Sequence, residues 1–324
     1  MAEAHFKPAW WLPNSHFQTL WPTLCRRPIK HLNFKRERIE LPDGDFIDLD
    51  WVDKNKDLNS PIVFLLHGLE GTLDSPYAKG MLNAISAEGW RGVFLYFRGC
   101  SGEHNRLPRS YHSGDTADVD YVVSVLKQRE PHAPMAAIGF SLGGNVLVKW
   151  LGETSQHNPL QAAVAICVPF ELYKAVLRIN RGFSRVYQWH LLGCLRNKLK
   201  QKLKMFSSSP VSMAKLATVR TMHDFDEHVT APLHGFANAN DYYVKCSSRA
   251  YLPYILRPTL LVQAKDDPFM TEDLLPGEDE LSPLVQLELT DSGGHVGFVS
   301  GRAPWAAEYW LERRVPSFLR KYLK

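Results

Sequence analysis

Gly139-Phe140-Ser141-Leu142-Gly143 sets a serine between two glycines at the spacing of a nucleophile elbow, in which a sharp strand-to-helix turn lifts the hydroxyl clear of a sheet. A serine hydroxyl is a poor nucleophile at neutral pH, so this chemistry needs a base and a group that orients the base. In sheet hydrolases with this elbow the chain order is serine, then an acid after a late strand, then a histidine near the end. Asp266-Asp267-Pro268 and His295 stand at those places. Asp267 is the preferred acid, because Pro268 forces a turn that aims its carboxylate, while Asp266 is expected to cap that turn. His67-Gly68-Leu69-Glu70-Gly71 ends an earlier apolar run, and the backbone N–H groups of Leu69 and Leu142 are the expected oxyanion hole. His67 itself is expected to hold its loop and take no part as a base.

These residues need a sheet to carry them. Continuous apolar runs at residues 62–66, 93–97 and 136–140, with a fourth at 162–167, are too short for ordinary helices and do not alternate. They predict strands buried on both faces of a mostly parallel sheet. Residues 79–88, 116–130 and 145–153 carry apolar side chains at helical spacing, so the predicted class is α/β, a sheet flanked by helices. Residues 46–51 alternate apolar and acidic positions as a half-buried strand does.

The pattern breaks at Pro169 and resumes at residues 259–262. In the gap Leu191, Leu192, Leu195, Leu199 and Leu203 recur at helical spacing with lysines between them, predicting an amphipathic helix whose lysines face solvent. Residues 170–252 are therefore expected to form a helical cap inserted between core segments 41–169 and 253–324, with residues 1–40 packed on the core as an extension. A last strand is expected at 285–289 and a C-terminal helix at 305–321.

A chain of 324 residues that is 45% apolar is long enough to bury a sizeable core. Its 38 basic and 34 acidic residues leave a net charge of +4, too little to point to a nucleic-acid partner. No apolar run approaches a membrane span, and the start of the chain lacks the pattern of a secretory signal. Cys25, Cys100, Cys167, Cys194 and Cys246 are odd in number and widely spaced, so neither a disulfide framework nor a zinc site is expected. A cytoplasmic location follows as the expectation, with no metal and no cofactor required. Trp10, Trp11, Phe17, Leu20 and Trp21 are expected to pack over the domain, with transient membrane contact left open. Arg98 is expected to brace a loop through an ion pair and Cys100 to be a buried, inert thiol.

The blocks His16-Phe17-Gln18-Thr19, Leu41-Pro42-Asp43-Gly44-Asp45, His67-Gly68-Leu69-Glu70-Gly71, Phe97-Arg98-Gly99-Cys100-Ser101-Gly102, Gly139 to Asn145, Ala264 to Phe269 and Gly293 to Phe298 extend the pattern over most of the chain. Taken together the chain resembles the YheT-like branch of the α/β-hydrolases, which is related to EMB8-type plant proteins and to animal abhydrolase-domain lipid hydrolases. The resemblance implies an α/β-hydrolase fold with a helical cap, a triad on Ser141, Asp267 and His295, and hydrolysis of short or medium acyl esters, a small-molecule substrate. Two rival functions remain at this level: alcohol O-acyl transfer by the same triad, and non-catalytic binding on a hydrolase scaffold.

Overall fold

The computed structural model describes residues 5–29, 32–52, 57–206 and 209–324. Eight strands form one sheet: β1 (Lys35–Glu40), β2 (Phe46–Val52), β3 (Ile62–Leu66), β4 (Arg91–Leu95), β5 (Met135–Phe140), β6 (Ala162–Ile166), β7 (Thr259–Ala264) and β8 (Val285–Thr290). Their order across the sheet is β1-β2-β4-β3-β5-β6-β7-β8. The first three strands in that order pair antiparallel, and every later pair is parallel. All residues of β3 to β7 are buried, as strands covered by crossover helices must be.

The strand at residues 46–51 departs from the half-buried expectation, since β2 is buried along its whole length. Its acidic side chains avoid solvent because β1 covers them. Arg36 and Arg38 stand directly opposite Asp50 and Asp48 in the register, and each guanidinium grips its carboxylate at 2.7–2.9 Å.

Helices α1 (Ser15–Cys25), α2 (Ala78–Ala87), α3 (Ala117–Arg129) and α4 (Leu142–Thr154) precede the interruption. Between β6 and β7 lie α5 (Leu172–Ile179), α6 (Ser184–Met205), α7 (Met213–Thr218), α8 (Met222–Phe225), α9 (Ala231–His234) and α10 (Ala239–Cys246). This segment has an apolar cluster of its own, in which Ile179, Tyr187, Leu192 and Leu199 meet Leu216, Phe225 and Val229.

The lysines of α6 correct the prediction of a wholly solvated face. Lys202 is buried and donates to the Arg109 carbonyl, and Lys198 donates to Glu70 Oε1 at 2.7 Å. Lys198 lies three residues past Leu195 and Lys202 three past Leu199, so both ammonium groups ride on the inward side of the helix, against the loops that follow β3 and β4. Burial and the neighbouring Arg98, Lys198 and Arg109 push the Lys202 ammonium down to about 8, against the pull of Asp45.

The C-terminal helix is shorter than predicted. The start of that range instead holds β10 (Glu308–Tyr309), which pairs with β9 (Val299–Ser300) just before it, and α11 runs over Leu311–Leu319. Among the described residues no helix is long and apolar enough to cross a membrane.

Candidate active site

β5 runs straight into α4 through Ser141, whose φ of 52° and ψ of −117° are strained for a residue with a side chain. The turn is tight enough to demand glycine. A Cβ on Gly143 would lie 2.4 Å from the Leu66 carbonyl oxygen, and one on Gly139 would lie 2.5 Å from the Gly143 carbonyl oxygen.

The other two predicted side chains arrive from the far half of the sheet. Asp267 lies just past β7 and His295 just past β8, and β6 separates β7 from β5. His295 Nε2 lies 3.0 Å from Ser141 Oγ, and His295 Nδ1 lies 2.8 Å from Asp267 Oδ2. A buried carboxylate only accepts, so Nδ1 carries the proton and Nε2 is left to accept from the serine hydroxyl.

Asp266 sits differently. Its Oδ1 accepts the Gly294 N–H at 2.9 Å, tying the β7 turn to the histidine loop, and burial raises its carboxyl above the usual range.

Several neighbours to which the sequence reading gave no role hold this arrangement. The Phe269 N–H donates to Asp267 Oδ1 at 2.8 Å, and its ring stacks flat on the imidazole, centroids 4.0 Å apart and 5° from parallel. The Phe269 N–H two residues after an aspartate is an Asx-turn signal present in the sequence. The His295 N–H donates to Thr19 Oγ1 of α1 at 2.9 Å, and Gln18 exchanges two hydrogen bonds with the Val299 backbone. A contact across 276 residues of chain leaves no local trace.

Leu69 follows β3, which pairs with β5, and it lines the same space as Ser141 and Leu142. The flanking N–H groups are taken: that of Gly68 donates to the Tyr77 hydroxyl and that of Glu70 to the Tyr111 hydroxyl, each at 2.8 Å. The Leu142 N–H belongs to the first turn of α4, where N–H groups have no partner within the helix and the helix dipole favours negative charge.

His67 braces the loop. Its Nδ1 lies 2.7 Å from the Gly68 carbonyl, its Nε2 accepts the Phe97 N–H at 3.0 Å, and full burial pushes the ring down to about 3. Arg98 forks onto Asp118 at 2.6 and 2.7 Å and reaches Asp45 at 3.0 Å. Cys100 is buried with its thiol pushed up to about 11 by burial, although Lys198 Nζ approaches its sulfur at 3.2 Å.

Cys167, Asp267 and His295 are the one grouping with metal-ligand atom types among the described residues, their atoms within 4.8 Å of one another. Burial beside Asp267 pushes the thiol well up, which favours the protonated form that ligates poorly, and both imidazole nitrogens already face Asp267 and Ser141. The set suits a proton chain better than an ion.

Two apolar cavities meet at Ser141, His295, Leu69, Leu191 and Phe269. One, of about 160 Å³, lies among α5, α6 and residues 222–243, with Lys198 and Lys202 in its lining. The other, of about 530 Å³, runs between α1, α2 and the first half of α6.

Residues 61–301 match the family described as alpha/beta hydrolase fold. The chain is 43% identical to the protein named "Putative esterase YheT" of Escherichia coli (strain K12), over 100% of this chain and 95% of that one. It is 32% identical to embryogenesis-associated protein EMB8 of Picea glauca, covering 94% of this chain and 70% of that one. It is 31% identical to phospholipase ABHD3 of Mus musculus, covering 97% of this chain and 78% of that one. The solved structure of the Pyrococcus furiosus esterase Pf2001 shares the fold at a TM-score of 0.57 and 19% identity, over 90% of this chain and 94% of that one. Strand order, elbow and family match agree, and the chain belongs to the α/β-hydrolases, in the branch that contains the YheT, EMB8 and ABHD3 proteins.

Proposed function

We propose that this protein is a serine hydrolase of carboxylic esters, with Ser141 as nucleophile, His295 as base and Asp267 as the residue that fixes the imidazole. Ser141 Oγ attacks the ester carbonyl as His295 Nε2 takes its proton, and the proton then passes to the departing alkoxide. The oxyanion that forms is held by the backbone N–H groups of Leu69 and Leu142, each donor worth about a hundredfold or more in rate. Water, activated by the same imidazole, releases the acid from the acyl-enzyme. Residues 170–252 serve as the cap that roofs the site. The acyl and alcohol portions of the ester take the two apolar cavities, which makes esters with apolar groups on both sides of the carbonyl the preferred substrates. The phospholipase name of the mouse relative supports a lipid ester.

The observation that carries this reading is the chain of hydrogen bonds from Ser141 through His295 to Asp267 at the junction of two apolar cavities. Its test is the hydrolysis of p-nitrophenyl esters with acyl chains of about two to twelve carbons. Ser141→Ala is expected to lower kcat by about four orders of magnitude or more with folding intact. Equal turnover by the variant, or by neither protein on any ester, overturns it.

A further inference from the structure

The second cavity opens beside a groove that ester hydrolysis does not use. Val186 and Trp189 of α6 line both, and the groove, of about 720 Å³, counts Arg185, Arg196, Lys200 and Arg220 among its other lining residues, the rest being neutral. No carboxylate lines it among the described residues. Asp224, four residues past Arg220, turns its Oδ2 to the N–H groups of Arg220 and Thr221 instead. Four cations thus converge on one small surface of a chain whose whole net charge is only +4.

The same surface exposes large apolar side chains. Trp189 is 78% exposed, and Phe183, immediately before α6, and Val186, in its first turn, are about half exposed. His16 of α1 packs its ring against Phe183, centroids 4.6 Å apart, and the adjacent Phe17 is 54% exposed, so both helices contribute to one patch. An exposed indole beside four cations that meet no carboxylate in the groove among the described residues, next to an apolar cavity, is the composition of a membrane-interface surface. A second copy of this chain would bring the same cations to the same face and be repelled.

We propose that this face docks on anionic lipid bilayers, Arg185, Arg196, Lys200 and Arg220 meeting lipid phosphates while Trp189, Val186 and Phe183 enter the headgroup boundary. Docking so oriented sets the mouth of the second cavity against the bilayer, and a lipid ester reaches Ser141 without crossing water. The purpose of docking rests on the esterase reading; the docking itself does not.

The test is co-flotation of the full chain with vesicles of phosphatidylcholine alone and of phosphatidylcholine with about one third phosphatidylglycerol. Binding is expected to the anionic vesicles, to be weak on the neutral ones, and to fall as salt rises. Replacing Arg185, Lys200 and Arg220 together by glutamine is expected to cost about a hundredfold in vesicle affinity, at roughly fivefold per cation. Hydrolysis of a soluble short-chain ester by that triple variant stays at the parent level, which also reports that it is folded. Trp189→Ala is expected to weaken binding while leaving its salt dependence unchanged, and Ser141→Ala to bind as the parent does. Undiminished flotation of the triple variant, or no preference for anionic vesicles, overturns the proposal. Failure of the esterase reading looks different: no turnover of soluble esters, with flotation intact.

Discussion

Ser141 sits in a strained backbone conformation, and the glycines at 139 and 143 beside it let chain segments approach within contact. Its hydroxyl, the imidazole and one carboxylate then line up, while the adjacent carboxylate faces elsewhere. Asp267 offers one oxygen to His295 and the other to the Phe269 N–H, whereas Asp266 is bound to the histidine loop backbone. Asp267→Asn is therefore expected to lower kcat by about three to four orders of magnitude, because the amide forces the wrong imidazole tautomer. Asp266→Asn keeps an acceptor for the Gly294 N–H and is expected to stay within about tenfold of the parent. Steady-state kinetics of the two variants decides the matter, and the opposite ranking assigns the acid to Asp266. The types and order of Ser141, Asp267 and His295 were readable in the sequence, since an elbow motif and two late loops mark them. The stacking of Phe269 and the Thr19 hydrogen bond were not, because they join segments that only the closed sheet brings together.

At the scale of elements, the sheet was legible where strands are continuously apolar and obscure where polar residues are buried in pairs. β2 alternates acidic and apolar residues like a solvent-facing strand, yet Arg36 and Arg38 on β1 convert its acidic side into a covered layer of ion pairs. Arg98 does the same for the turn before β2, joining Asp43 and Asp45 to Asp118 of α3. Its side chain is only 2% exposed, as are those of its partners Asp45 and Asp118 at 0% and 8%. Arg98→Met would leave those carboxylates buried without their cation, at a cost of about 3–5 kcal/mol to stability. A urea denaturation curve measures this, and a loss below about 1 kcal/mol means the carboxylates find other partners. The same blindness applied to α6, whose lysines read as a solvated stripe until Glu70 and the Arg109 carbonyl were seen opposite them.

At the scale of the whole molecule, the helices between β6 and β7 bury groups that titrate with folding. Asp226, beside the first cavity, accepts hydrogen bonds from Thr230 Oγ1 at 2.7 Å and Tyr243 Oη at 2.9 Å, but burial outweighs them and raises its carboxyl to about 7. A carboxyl raised on folding stabilises the native state fully below its unfolded value of 3.8, and that stability is lost as pH rises through about 7. Asp226→Asn is permanently neutral, so its stability relative to the parent is expected to increase between about pH 4 and pH 8 by a few kcal/mol. Thermal melts of both proteins across that range provide the comparison, and a difference that does not change with pH shows that folding leaves this carboxyl unshifted.

Sequence alone determined the class of this protein, because the signals for it are local. An apolar run too short for a helix, a glycine-flanked serine at its end and a helical repeat after it are all read within a dozen residues. The order of acid and histidine followed from chain position, and the break in alternation between residues 169 and 259 marked the stretch where α5 to α10 lie. Tertiary structure decided what depends on distance between remote segments: the proton chain across β5, β6, β7 and β8, the anchoring of the histidine loop by α1, the inward lysines of α6, and the meeting of two cavities at one serine. It also decided the cationic groove, whose members are spaced along α6 and lie beyond α7, so that the charge becomes concentrated only when the chain folds back on itself. Local pattern selects the elements through backbone propensity and burial period, but the energies that place one side chain against another act through space, and the order of residues along the chain does not carry them.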